Sequence, residues 1–476
     1  MNQCVLGIDL GTSSVKIVKK YKNGHTEKLK NTYEAPLPLG WWDAVCKLLG
    51  EIDWKEVAAI GLSSQVGTYL VNDKEVISWN HDVGKEELKW WKTKYSTERF
   101  VEEISMPHPD IISYPLPRLK YIIEHFDGIQ KICQPKEYIL EKLIGEWVTD
   151  MYSWRGLVNL NEGTYSGYFL KELSLEEGKL PVIKGMDEVA GYTKEVRIEC
   201  NILPAGIPVY VGLNDFYAGL LGMGVGKTGQ MFDVTGTSEH LGVVEENIDK
   251  NTDLVSGPYI KHMVRYGVTA SSGPSIKYAL KLIQEQNVNF LKTEKMHAED
   301  IVFGLEDIIK KKPPIFLPYV KGERAPIWNA DARGVFFGIE EKCSSVDMAY
   351  AIMEGVVFSL YHIYETMGMP EIQRITVSGG AAEIECLNWL KAEIFGVPID
   401  IVKESDVSAL GACMTAAVGL GWYKNYEETA KEWVTIARNK VPSGRYKQWF
   451  VKRFKLYKEL YYKVEPLFEK WKEIEV

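Results

Sequence analysis

Two short turns with the same wording stand far apart in this chain, and they constrain its fold more than any other feature. Cys4-Val5-Leu6-Gly7-Ile8 is apolar and β-prone, Asp9-Leu10-Gly11-Thr12-Ser13-Ser14 is turn-forming, and residues 15–19 alternate with period two. Further on, residues 230–234 read as a strand, Thr235-Gly236-Thr237-Ser238 as a turn, and residues 241–244 as another strand. Each turn follows an aspartate (Asp9, Asp233) with a Gly-Thr-Ser step, and Gly11 and Gly236 lie 225 positions apart. An internal repeat at about half the chain length predicts two homologous domains, each opening with the same hairpin. The plainer alternative is that Gly-Thr-Ser is a common turn composition.

At 476 residues the chain is sized for about two to four domains. We expect a split into residues 1–243 and 244–476, the second including a helical tail over 425–476. Short strands at 57–62, 68–71, 207–211, 375–378 and 399–402 are interleaved with helices, which predicts an α/β architecture. Helices are expected at 216–223, from 381 to about 395, and at 410–418. In the tail, Phe450, Phe454, Tyr457, Tyr461, Val464, Phe468 and Trp471 form an aromatic helical stripe that should pack on the protein's own body. Pro466 should kink or split that helix.

Charge excludes some functions. With 56 basic and 65 acidic residues the net charge is −9, against what a nucleic-acid binder needs. Seven scattered cysteines form no C-x-x-C pair, so neither a zinc knuckle nor a disulfide framework is indicated, and a reducing, cytoplasmic setting is expected. MNQ runs straight into VLGIDLGTSS with no targeting segment expected, and no run approaches ~18 apolar residues, so no membrane partner is expected.

A glycine-hydroxyl turn between strands exposes successive amides that can cradle an anion. Gly11, Thr12 and Ser13 form one candidate cradle, Gly236 and Thr237 another, and two facing cradles would suit a triphosphate. Asp9 would repel phosphate unless a cation such as Mg²⁺ intervenes; otherwise Asp9 and Asp233 satisfy turn amides. Asp215 closes an apolar strand before a helix, where ligands bind in α/β sheets. It could instead cap that helix, unless Asn214 does so and leaves Asp215 free. Gly379-Gly380-Ala381 would let a flat ring approach the backbone, or is an ordinary tight turn. Gly224-x-Gly226-x-x-Gly229 and Gly226-Lys227-Thr228 mimic nucleotide motifs, but helix precedes and strand follows, the reverse of what those motifs require.

Taken in order, these segments resemble the FGGY carbohydrate kinases of the actin and hexokinase-like superfamily. Gly7-Ile8-Asp9-Leu10-Gly11-Thr12-Ser13-Ser14 and Asp233-Val234-Thr235-Gly236-Thr237-Ser238-Glu239 resemble the family's two phosphate motifs. Gly212-Leu213-Asn214-Asp215 is similar to its catalytic segment, and Gly322-Glu323-Arg324-Ala325-Pro326 to its second-domain signature. Ser378-Gly379-Gly380-Ala381 and Ala409-Leu410-Gly411-Ala412 resemble the adenosine-side elements. The resemblance implies two RNase H-like domains with ATP and sugar in the cleft between them. It implies Asp215 as general base, Gln65, Trp79, Asn214 and Asp215 on the sugar, and Asp9 with Asp215 on Mg²⁺. For ATP it implies Gly11, Thr12, Ser13, Gly236, Thr237, Gly273, Gly379, Gly380 and Ala381.

The departures bear on the substrate. Trp79-Asn80-His81-Asp82-Val83-Gly84 lacks the arginine of the family's Trp-x-Asp-x-Arg, and Gln65-Val66-Gly67-Thr68 differs from both the xylulokinase Gln-Met-His-Gly and the glycerol kinase pattern. Ala392-Glu393 replaces Ala-Asp. The reading is an ATP-dependent kinase of a ketopentose such as xylulose, with gluconate or another polyol acid as the alternative. A homodimer is allowed. A catalytically silent sugar- and ATP-binding member of the fold, or an actin-type ATPase, are the non-kinase alternatives.

Overall fold

The computed structural model describes residues 3–33, 38–108, 111–198, 201–236, 238–247, 253–284 and 306–474. Thr237 therefore lies outside the described residues. Two compact units emerge: Met1–Gly226, Gly257–Met263 and Asp406–Val434 form the first, and Lys227–Ser256, Val264–Ser405 and Thr435–Val476 the second. The division is not the single cut at 243/244 expected above. The chain leaves the first unit within the glycine-rich connection after Gly222 and returns to it twice, so the second turn, the 257–263 segment and the 406–434 helices are all redistributed.

The first unit is built on a six-stranded sheet. Its strands are β1 (Cys4–Leu10), β2 (Ser14–Tyr21), β3 (Thr26–Thr32), β4 (Val57–Ser64), β5 (Val189–Tyr192) and β6 (Pro208–Asn214), in the spatial order β5-β6-β4-β1-β2-β3. The Gly-Thr-Ser turn is short enough to make β1 and β2 an antiparallel hairpin, whereas β1, β4 and β6 are mutually parallel and need long crossovers. Their runs are apolar with few alternations because both faces are covered. The helix Val407–Gly419 lies directly on this sheet: a Cβ at Gly7 would stand 1.9 Å from the Ala409 carbonyl oxygen. Its small residues Ala409, Gly411 and Ala412 thus serve close packing within the first unit.

The second unit repeats the plan. Its sheet runs through β7 (Met231–Thr235), β8 (His240–Glu245), β9 (Val255–Tyr259), β10 (His262–Val268), β11 (Ile375–Gly379), β12 (Ile399–Val402) and β13 (Ile436–Lys440), ordered β9-β10-β8-β7-β11-β12-β13, with the end of β9 and the start of β10 falling in the Gly257–Met263 segment assigned to the first unit. As in the first sheet, the opening strand β7 pairs antiparallel with its hairpin partner β8 and parallel with β11; β11 is parallel to β12, and an antiparallel strand closes the edge. The repeated turn therefore marks a repeated topology, far more than a shared turn composition.

Ser345–Thr366 is the one described helix long and apolar enough to cross a membrane, but it is the buried central helix of this unit's core. The tail helix Lys447–Lys472 packs Phe450, Phe454, Tyr457, Tyr461 and Phe468 onto that core, as the stripe predicts. Two details differ. Trp471 is 65% exposed. The helix also runs on through Pro466, because both Pro466 and Tyr462, whose carbonyl loses its bond, lie on the solvent side where water can replace it.

Candidate functional site

Three parallel strands of the first unit deliver three polar residues to one edge. In register, Asp9 of β1 lies beside Ser63 of β4, and Ser63 beside Leu213 of β6. One step beyond the strand ends come Gln65, whose amide donates to the Leu10 carbonyl at 2.9 Å, and Asp215. The C-terminal edge of parallel strands is where α/β sheets bind ligands. The Asp9 carboxylate accepts from Ser63 Oγ at 3.0 Å, and burial raises its pKa against that bond. Lys16, which acts on Asp9 electrostatically, is itself bonded to Asp406 at 2.9 Å.

Asn214 settles the question of the helix cap. Its Oδ1 accepts from the Tyr217 amide at 3.1 Å as N-cap of the helix Asp215–Gly222, and its Nδ2 donates to the Tyr152 carbonyl at 3.2 Å. Both polar atoms of this buried side chain serve the fold, and each keeps one further hydrogen-bonding position, so its expected place on the sugar stays a proposal. Asp215 is left free of capping, with the Phe216 amide bonded to its Oδ1 at 2.8 Å. Burial first, and the charge of Asp9 second, push the Asp215 pKa up to about 7, against that amide and the Arg155 guanidinium. A carboxylate so tuned can accept a proton near neutral pH.

Beside them, Thr12, Gln65, Thr68 and Trp79 form one hydrogen-bonded cluster. Gln65 Oε1 accepts from Thr12 Oγ1 at 3.3 Å and from Thr68 Oγ1 at 3.4 Å; Trp79 Nε1 donates to Thr12 Oγ1 at 3.0 Å and the Trp79 amide to Thr68 Oγ1 at 3.1 Å. Thr12, expected on ATP, thus bonds through its hydroxyl to Gln65 and Trp79, the residues expected on the sugar. Gln65 Nε2 is buried without a partner, a donor aimed at nothing in the protein. The turn itself is braced by Tyr33, whose hydroxyl donates to the Gly11 carbonyl and whose amide donates to Ser13 at 3.1 Å. The loop that lacks the family's arginine is held by another: Arg118, fully buried on the helix Pro115–His125, donates to the carbonyls of Trp79 at 3.2 Å and His81 at 2.9 Å.

In the second unit Gly236 stands at the tip of the β7–β8 hairpin. A Cβ at Gly379 (φ 106°) would fall 2.1 Å from the Thr235 carbonyl oxygen, so this glycine lets strands approach rather than a ring. The Ala381 amide is likewise taken by Thr235 Oγ1 at 3.0 Å. A Cβ at Gly380 would meet open space. Residues 380–383 form a 3₁₀ turn, and the helix begins later, at Glu385. Gly273 sits in the first turn of the helix Ser272–Gln284, next to Ser272, whose hydroxyl bonds Glu239 at the far side of the turn. The signature residue Glu323 is buried, accepting from the Ala270 and Arg324 amides and from Ser359 Oγ, and so anchors the approach to that helix.

Sequence reading passed over Ser63, Arg118 and Lys391. Lys391 leaves a trace: Leu387, Lys391 and Phe395 share one face of the helix Glu385–Phe395, so a lysine occupies an apolar stripe.

A repeated α/β plan, a glycine turn at the head of each sheet and a basic carboxylate at a ligand-binding edge define a phosphotransferase of the two-domain, actin- and hexokinase-like class. Residues 4–222 match the N-terminal domain, and residues 232–420 the C-terminal domain, of the FGGY family of carbohydrate kinases, and the chain belongs to that family. It is an ATP-dependent phosphotransferase acting on a sugar hydroxyl. A xylulose kinase of Staphylococcus xylosus is 26% identical, with 96% of this chain and 99% of that one covered. A ligand-bound xylulose kinase from Lactobacillus acidophilus superposes with TM-score 0.81 at 25% identity over 98% of this chain and all of the other. A gluconate kinase from the same species gives TM-score 0.82 at 24% identity over 99% and 100%, a likeness of fold.

Proposed function

We propose that this chain phosphorylates a ketopentose, xylulose or a close relative, with Asp215 as general base. The observation that carries the reading is the position of Asp215 at the strand edge beside Asp9, freed by the Asn214 cap and with its pKa raised to about 7. Asp215 takes the proton of the attacking hydroxyl as that oxygen bonds the γ-phosphorus; the bond to the β,γ-bridging oxygen breaks and ADP leaves. The Gly11 amide is bonded to the Ser14 carbonyl at 2.9 Å, so the Thr12 and Ser13 amides of that turn, with the Gly236 turn, would be the ones to meet phosphate oxygens, and the partnerless Gln65 Nε2 donates to a sugar oxygen.

The donor set fits Mg²⁺. The charge of Asp9 raises the proton affinity of Asp215, a repulsion that a cation would relieve, and no described cluster of three carboxylates, histidines or cysteines forms a closed cage. Mg²⁺ is commonly held by one or two carboxylates with phosphate oxygens completing its shell, and it neutralises charge on the transferring phosphoryl group.

A cytoplasmic setting suits the chain, since the described cysteines form no disulfide. The second reading is an aldonate kinase: Gln65 Nε2 is a pure donor, and a carboxylate would satisfy it as well as a ketose oxygen does. A panel of ketoses, polyols and aldonates, scored by ADP release, separates them. The proposal expects xylulose to give the highest kcat/KM. A gluconate kcat/KM tenfold above every ketose overturns it in favour of the second reading, and no release with any acceptor removes both.

A further inference from the structure

Two carboxylates flank the second turn, and both are buried. Asp233 lies within β7 and Glu239 immediately before β8, exposed by 0% and 1%. Two such charges beside a phosphate-binding turn would repel the ligand it is built to hold. The Lys391 ammonium enters from the helix Glu385–Phe395, itself 1% exposed, and bonds Asp233 Oδ2 at 2.5 Å and Glu239 Oε1 at 2.7 Å. One side chain thus ties together the two strand ends between which the turn hangs. Ser272 Oγ bonds the other Glu239 oxygen, and the Glu239 amide donates to Thr269 Oγ1 at 3.1 Å.

One atom is left over. Asp233 Oδ1 is buried without a hydrogen-bond partner, which suits a carboxyl group that keeps its proton. Burial and the charge of Glu239 push the Asp233 pKa up to about 8, with Lys391 opposing; these are the charged groups that act on it from the neighbouring strand and helix. The cluster is then one lysine, two carboxylates and one shared proton, neutral in sum. The equivalent residue of the first unit is placed differently: Asp9 accepts from the uncharged Ser63, which leaves its charge available to a cation.

We propose that Lys391 is a positioning residue for the nucleotide: by pairing Asp233 and Glu239 it ties the two strand ends and keeps them free of net negative charge, so that the turn accepts polyphosphate directly. This rests on the reading of that turn as an ATP-binding element. The repeated hairpin thereby takes two electrostatic forms, an open carboxylate in the first unit and a neutralised one in the second.

The test is ATP affinity, measured calorimetrically on the full chain between pH 7 and 9.5. For the native chain ATP binding should weaken three- to tenfold as the shared proton is lost above pH 8. Glu239→Gln leaves one lysine and one carboxylate, neutral throughout, and should flatten that profile. Lys391→Met should weaken ATP binding at pH 7 at least tenfold while the sugar KM stays within twofold, and adding Glu239→Gln to it should recover most of the loss. A purely structural role predicts no such rescue. Gly236→Val separates the two layers of the argument. If it weakens ATP binding while the native profile is flat, or while Lys391→Met is silent or unrescued, the role of Lys391 is overturned and the turn assignment stands. If Gly236→Val leaves ATP binding unchanged, the turn assignment fails and the role of Lys391 fails with it. Should Lys391→Met not fold, the Glu239→Gln profile decides alone.

Discussion

Asp9 makes Asp215 a stronger base. The two carboxylates end neighbouring parts of the same parallel strand edge, and after burial the charge of Asp9 is the largest influence raising the Asp215 pKa to about 7. Asp9→Asn should therefore lower the acidic limb of the kcat/KM profile toward the ordinary carboxylate range. A sign check agrees: a base with a raised pKa is inactive below it, so removing the cause extends activity to lower pH. The same substitution should raise the Mg²⁺ concentration needed for half-maximal rate about tenfold or more. Both are read from pH–rate and Mg²⁺ titration curves.

The raised pKa of Asp215 also predicts stability. Its folded-state pKa lies above the ordinary value of 3.8, so the folded chain holds that proton more tightly than the unfolded chain. The penalty is absent below pH 4, builds between pH 4 and 7, and is complete above. Asp215→Asn should then raise Tm by a few degrees at pH 8, about 1–2 kcal/mol, and leave it unchanged at pH 4. Calorimetric scans at the two pH values check it.

On the sugar side, Gln65→Ala should raise the sugar KM about tenfold or more and leave the ATP KM within twofold, since it removes the one partnerless donor of the cluster. Trp79→Phe keeps an aromatic ring while losing the indole N–H bonded to Thr12 and part of the ring's area, and its effect should be a fraction of that. Steady-state kinetics with each substrate varied in turn separates the two.

Arg118→Met should act on the same loop from beneath. It removes the bonds to the Trp79 and His81 carbonyls and should raise the sugar KM several-fold with little change in kcat. Arg118→Lys should recover part of the loss, because one ammonium can reach one carbonyl.

The turns at Gly11 and Gly236 and the strand before Asp215 were legible because they depend on local chemistry: apolar runs, tight glycine turns, a cap residue. The doubled topology followed from those turns alone. What escaped was set by partners distant in sequence. Asn214 was expected on the sugar, and its bonds to Tyr217 and Tyr152 show that it also caps a helix and braces a distant loop. Gly379 was expected to admit a ring, yet it admits the Thr235 carbonyl. Arg118 and Lys391 exert their effects 39 and 158 positions from the residues they bond, a separation no local pattern encodes.

Sugar-dependent ADP release by Asp215→Asn is the most direct measurement, taken alongside calorimetric ATP binding on the same sample. The amide keeps the shape of the side chain and cannot accept the proton, so release should fall at least a thousandfold while ATP affinity stays within a few-fold of the native chain. A variant that turns over at near-native rate would contradict the account, since the hydroxyl would then be losing its proton elsewhere.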